Sequence, residues 1–159
     1  MNWRARHITI GDIDAVLALA EKNPEAPHWK RSQYENCVTQ QDGSSFLRIG
    51  FVVEDEDRLF GFCIGTLVAG ICELESIAVT ADARRKGIAS TLLQALLQWA
   101  QSRQAVRLEL EVRASNHRAI NFYEMSGLAR EGVRRSYYRS PDEDAVIMGM
   151  ALKSGGKNP

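Results

Sequence analysis

Ile77-Ala78-Val79, followed closely by Arg84-Arg85-Lys86-Gly87-Ile88-Ala89-Ser90-Thr91, is the stretch that decides the reading of this chain. A β-rich run ends, a short basic loop turns, and a helical pattern begins. Ile88, Leu92, Leu93, Leu96, Leu97 and Trp99-Ala100 recur as one broad apolar stripe. The start of a helix presents N–H groups that have no partner within it, at the positive end of its dipole, and is therefore an anion site. Gly87 and Ala89 let the backbone approach a bound group, and Arg84, Arg85 and Lys86 add positive charge. The natural guest is a diphosphate. A helix start beside a solvated basic cluster satisfies the same pattern. The stretch is neither a P-loop, which needs G-x-x-x-x-G-K-[ST], nor the G-x-G-x-x-G dinucleotide fingerprint.

Upstream, three β-rich runs at 46–53, 59–68 and 71–79 are separated by an acidic turn at 54–57 and by Ala69-Gly70. They read as an antiparallel meander. Before them, 3–10 reads as a strand, and apolar spacing from Ile13 predicts a helix with Asp12 as its N-cap. Asn23-Pro24-Glu25-Ala26-Pro27 breaks that helix, since each proline disfavours helix in the residue before it. A second short helix is expected over 32–39 and a polar turn over 40–45.

Downstream, a strand at 106–112 leads to a helix at 116–125, stopped by Gly127. Strands at 128–135 and 145–152 flank a loop at 136–143, and the tail at 153–159 is expected to be disordered. The expected fold class is α/β of the α+β kind: one domain over 1–152, a mixed, mostly antiparallel sheet flanked by helices.

Composition excludes several classes of partner. Twenty Lys plus Arg balance 20 Asp plus Glu in 159 residues, so no net charge draws the chain to nucleic acid, although a local basic patch remains open. Cys37, Cys63 and Cys72 form no C-x-x-C pair, and the His residues lack ligand spacing, so neither a disulfide framework nor a metal is expected. No apolar run reaches membrane-spanning length and residues 1–6 carry no signal core; a cytoplasmic protein without membrane contact is expected.

Arg84-x-x-Gly87-x-Ala89 after the Ile-Ala-Val strand resembles the acetyl-CoA signature of the GCN5-related N-acetyltransferase (GNAT) family. Asn116-x-x-Ala119-x-x-Phe122-Tyr123-x-x-x-Gly127-Leu128 resembles that family's other cofactor element, and the element order agrees over nearly the whole chain. The resemblance implies a splayed cleft between two central strands, with acetyl-CoA as co-substrate and no metal. Backbone groups of Ile77, Ala78 and Val79 would hold the pantetheine arm. Arg84 belongs to the signature, and Arg85, Lys86, Gly87, Ile88, Ala89 and Ser90 would wrap the pyrophosphate. Asn116 and Tyr123 would meet the cofactor from the far side.

Acetyl transfer needs a neutral amine and an acid for the departing thiolate. Strand alternation places Arg107, Glu109, Glu111 and Arg113 on one face and Leu108, Leu110 and Val112 on the other. That polar face can simply be solvated; alternatively Glu111, close to the 116–125 helix, relays the amine's proton. Tyr123 is the candidate acid, because a phenol stays protonated at neutral pH, or else it is a packed aromatic. Glu73 and Glu75 are alternative bases, acceptor contacts, or surface carboxylates.

A narrower resemblance concerns the acceptor. Residues 110–116, with Ala119-Ile120 and Phe122-Tyr123-Glu124, resemble the ribosomal-protein alanine N-acetyltransferase subfamily, as do Arg134-Arg135-Ser136-Tyr137-Tyr138 and Pro27-His28-Trp29. This implies a protein N-terminus as acceptor, such as that of a ribosomal protein, with Glu111 and Tyr123 in the catalytic positions. Trp29, Tyr137 and Tyr138 would wall the peptide groove, or pack on a neighbouring strand. His28 between Pro27 and Trp29, and Lys30 after them, depart from the subfamily's pattern. A small-molecule amine, a lysine side chain, or acyl-CoA binding without turnover are the competing readings.

Overall fold

The computed structural model describes residues 2–27, 29–39 and 44–153. His28, most of the expected polar turn at 40–45, and the expected disordered tail from 154 onward lie outside these. The described elements run β1 (Ala5–His7), a 3₁₀ turn (Ile10–Asp12), α1 (Ile13–Glu21), α2 (Arg31–Glu35), β2 (Phe46–Asp55), β3 (Arg58–Val68) and β4 (Ile71–Val79). A second 3₁₀ turn (Ala81–Ala83) precedes α3 (Ile88–Ser102), followed by β5 (Arg107–Arg113), α4 (His117–Met125), β6 (Ala129–Tyr138) and β7 (Glu143–Ala151).

The strands form one open sheet in the order β1-β2-β3-β4-β5-β7-β6. Every neighbouring pair is antiparallel except β4 and β5. The meander expected over β2, β3 and β4 forms with a long register from Phe46↔Val68 onward. On one face, the stripe of α3 buries Leu92, Leu93 and Leu96 almost completely. Each such side chain contributes roughly 1.5–3 kcal/mol, so α3 is clamped to the sheet along its length. The clamp is close: a Cβ at Gly65 would lie 2.5 Å from Leu96 Cδ1. On the other face, α1 and α2 cover Val52, Phe62, Ile64 and Ala78 with Ile13, Val16, Leu19 and Tyr34. Among the described residues, neither helix packs on β5, β7 or β6, which are left bare on that side.

Four local expectations change. The first strand stops at His7, because the chain turns into the 3₁₀ turn. Asp12 does not cap α1 with its side chain; its carboxylate instead accepts from the Thr9 N–H at 2.7 Å and pairs with Arg6 at 2.8 Å. The second helix is Arg31–Glu35 rather than 32–39, the chain continuing as turns through Asn36 and Cys37. The expected loop at 136–143 is a shorter hairpin, with β6 reaching Tyr138 and β7 starting at Glu143.

The parallel junction is what makes a site. β4 pairs with β5 only at Ile71↔Arg107, Cys72↔Leu108 and Glu73↔Glu109. Opposite β3 the register jumps from Ile64↔Ser76 to Gly65↔Leu74, so Glu75 is the extra residue of a β-bulge. A bulge bends its strand and increases the local twist. Past it, β4 stays with β3 and β5 stays with β7, and the two central strands part.

Candidate active site

The gap between β4 and β5 is a cleft of about 440 Å³, closed at one end by the start of α3 and along one side by α4. Ile77, Ala78 and Val79 pair with Cys63, Phe62 and Gly61 of β3 on one edge, while their other edge, having no β5 partner, faces the cleft. Backbone groups on such an edge need hydrogen bonds. Ser76 also lines the cleft, and its hydroxyl is buried without a hydrogen-bond partner.

At the end of the cleft, Gly87 is the N-cap of α3 in the left-handed region, with φ 87°. A Cβ there would meet nothing within 4 Å, so conformation, not crowding within the protein, asks for glycine. Arg85 is also left-handed, with φ 63°. Arg84, Arg85, Gly87, Ile88, Ala89 and Ser90 all line the cleft, and the first-turn N–H groups of α3 open onto it. Lys86 does not line it. Its carbonyl accepts from Trp3 Nε1 at 3.0 Å on the outer side, anchoring the N-terminal segment to the loop.

From the far wall, Asn116 caps α4, its Oδ1 accepting from the Ala119 N–H at 3.1 Å. Its amide nitrogen donates to Glu25, and Arg84 donates to Asn23 at 3.2 Å. The segment 23–27 therefore crosses the cleft and is tied to both walls. In the sequence this segment reads as a helix breaker, with Pro27 also opening the Pro27-His28-Trp29 resemblance. Asn23, Glu25, Ser76 and Arg118 are cleft residues that sequence reasoning did not single out; proline spacing carries no signal for such a crossing.

Glu111 and Tyr123 both line the cleft. Tyr123 is 6% exposed, and burial pushes its phenol well above the usual value. Glu111 forms an ion pair with Arg134 Nε at 2.9 Å, and its carboxylate raises the neighbouring Tyr137 phenol above the ordinary value. Tyr138 lines the cleft beneath Arg113, whose guanidinium lies 4.5 Å from its ring; burial pushes this phenol up to about 12.

Glu75 lines the cleft from the bulge but is held by Arg48 through two hydrogen bonds of 2.9 and 3.1 Å. Trp29, Glu73 and Tyr137 do not line it. Trp29 lies against Tyr34 and beneath Arg48, 5.3 Å from each. Glu73 projects from the bare face, where burial and then the neighbouring Glu75, Glu111 and Glu109 raise its carboxyl above the ordinary range. Tyr137 is half exposed at 49% and packs edge-on to Tyr138. The three lie outside the gap.

The three thiols are free and buried, and burial pushes Cys37 and Cys72 up to about 12 and Cys63 higher still. A buried protonated thiol is a poor nucleophile. The cleft thus joins a helix start with free N–H groups, an unpaired strand edge, the ion-paired carboxylates of Glu75 and Glu111 and the protonated phenols of Tyr123 and Tyr138, with no activated sulfur.

Comparison with known proteins agrees with this geometry. The family model described as Acetyltransferase (GNAT) family matches residues 13–128. The chain is 39% identical over 143 residues to the ribosomal protein bS18-alanine N-acetyltransferase of Salmonella typhimurium, covering 89% of this chain and 92% of that one. It is 32% identical over 163 residues to an N-alpha-acetyltransferase of Sulfurisphaera tokodaii, covering 94% and 93%. The crystal structure of the ribosomal-protein-S18-alanine N-acetyltransferase from Escherichia coli superposes with a TM-score of 0.80 at 29% identity, covering 99% of both chains.

Proposed function

The chain belongs to the GNAT acetyltransferase family, and from that premise we propose that it acetylates the N-terminal α-amine of a protein, a ribosomal protein being the leading candidate. One observation carries the proposal: the bulge at Glu75 parts β4 from β5, so that an unpaired strand edge runs from the start of α3 toward Glu111 and Tyr123.

Acetyl-CoA supplies the acetyl group, activated as a thioester. The unpaired edge at Ile77, Ala78 and Val79 and the buried Ser76 hydroxyl fit an amide-bearing arm such as pantetheine. The N–H groups at Gly87, Ile88, Ala89 and Ser90, with Arg84 and Arg85 beside them, fit a pyrophosphate. Asn116 holds the far wall in place through its bond to Glu25. Lys86 contributes charge without touching the cleft.

The acceptor enters from the bare face of β5, β7 and β6. A free α-amine, with pKa near 7.8 against roughly 10.4 for lysine, costs about 3.5 kcal/mol less to deprotonate at a given pH. Glu111 takes the proton, directly or through water, as nitrogen bonds to the acetyl carbon. The carbon–sulfur bond then breaks, and Tyr123 gives its proton to the departing sulfur and regains one from solvent. Burial keeps the Tyr123 phenol protonated, as this role requires. The buried thiols favour direct transfer over an acyl-enzyme. Tyr138 lines the path, while Trp29, Glu73, Glu75 and Tyr137 contact the peptide beyond its first residue.

Incubating peptides that begin with Ala, Ser or Met with the protein and acetyl-CoA, followed by mass spectrometry, tests the proposal. Acetate on the terminal nitrogen is expected. Acetate confined to internal lysines would overturn the choice of acceptor, and no transfer to any amine would overturn the reaction.

A further inference from the structure

Each of the parted strands presents one carboxylate, and each carboxylate has an arginine from another strand. Glu75 on β4 is held by Arg48 of β2, and Glu111 on β5 by Arg134 of β6. Both arginines also lie over an aromatic ring, Arg48 5.3 Å from Trp29 and Arg134 5.5 Å from Tyr137.

The two pairs differ in how firmly they are made. Arg48 grips Glu75 with two hydrogen bonds, and their side chains are 22% and 16% exposed. Arg134 touches Glu111 through Nε alone, with its own side chain 57% exposed. A single contact from an exposed arginine is weak and easily given up. The first carboxylate is committed to the fold, whereas the second can exchange its partner.

The hairpin is shaped to make that second pair. In a regular strand Arg134 and Tyr137 would point to opposite faces. Here the register between β6 and β7 jumps from Arg134↔Ala145 to Tyr138↔Glu143, Ser136 is left-handed at φ 51°, and its N–H is held by Asp144 at 2.8 Å. This irregularity turns Arg134 and Tyr137 onto the same carboxylate.

Taking Glu111 as the group that meets the amine, we propose that Arg134 is a positioning residue: a displaceable counter-ion that holds Glu111 before the acceptor binds and yields it to the acceptor's ammonium. At neutral pH most of a peptide's α-amine is cationic, so the ammonium can replace the guanidinium charge for charge. Tyr137 stays beside the carboxylate during the exchange. Neutral groups gain nothing from the swap, which makes it a filter for a free N-terminus.

The test measures binding as well as turnover. A fluorescent peptide with a free N-terminal Ala, and its N-acetylated twin, are titrated at pH 7 into the CoA-bound parent, Arg134→Ala and Arg134→Lys proteins. Removing the competitor is expected to lower Kd and KM for the free peptide by about two- to five-fold, with kcat changed less than that. The blocked peptide is expected to bind all three proteins alike, and Arg134→Lys to restore parental values. An unchanged or higher Kd for Arg134→Ala, or an equal gain for the blocked peptide, would overturn the counter-ion. Glu111→Gln keeps the two claims apart. Full activity of that variant would sink the base assignment, while its inactivity beside an unmoved Arg134→Ala Kd would sink only the counter-ion.

Discussion

Replacing Gly87 with Ala separates the conformational demand of the α3 start from its proposed work as an anion seat. Gly87 has φ 87° and open space where a Cβ would go, so alanine meets no clash and costs only the left-handed backbone. That cost is about 1–2 kcal/mol. In a domain of this size each kcal/mol moves the melting point by about 2–4 °C, so the free variant should melt roughly 2–8 °C lower. CoA at about 100 times its Kd should stabilise the parent by about 2.7 kcal/mol. If the new methyl occupies the space of a phosphate and weakens binding ten-fold, about 1.4 kcal/mol of that gain disappears. Thermal melts with and without CoA read both effects. Asparagine tolerates the left-handed region, so Gly87→Asn should recover most of the free protein's melting point while still losing part of the CoA-induced shift. A lowered melting point with a full CoA-induced shift in Gly87→Ala would refute the seat.

Glu111→Gln should lower kcat/KM by about 10²–10⁴ at pH 7 and by less at pH 9, where the α-amine is already neutral; a pH-independent loss in initial-rate assays would count against a base. Tyr123→Phe should lower kcat by a similar factor yet keep the CoA-induced melting shift. Burial raises the Tyr123 phenol, so the folded chain retains a proton that the unfolded chain releases. Its contribution to stability is therefore complete below about pH 10 and lost above it, and the decline seen in alkaline denaturation should be shallower in the Phe variant. Asp12 is the opposite case: burial opposes its charge, but Arg6 and the Thr9 donors outweigh it and hold the carboxyl below its ordinary value. Its stabilisation should be present above about pH 4 and fade as pH falls through the lowered value, and Asp12→Asn should cost about 1–3 kcal/mol at pH 7 in urea titrations.

Patterns carried by neighbours in the chain determined most of the secondary structure and marked the candidate anion seat. The stripe from Ile88 to Ala100 fixed α3, the alternation from Arg107 to Arg113 fixed the faces of β5, and Gly87 marked the helix start, because periodicity and terminal N–H groups are local properties. Glu111 and Tyr123 were reachable the same way, one by alternation and one by its place in a motif. The parting of β4 and β5 was decided in three dimensions. It depends on a one-residue slip at Glu75 against β3, and no periodicity in β4 alone records a partner's register. The tie of residues 23–27 to both cleft walls, Lys86 turning outward to Trp3, and the meeting of Arg134 with Glu111 likewise join residues 23 or more positions apart. Such contacts arise from how strands are stacked and bent. A side chain's type sets what it can bind; the bend of a neighbouring strand sets what it meets.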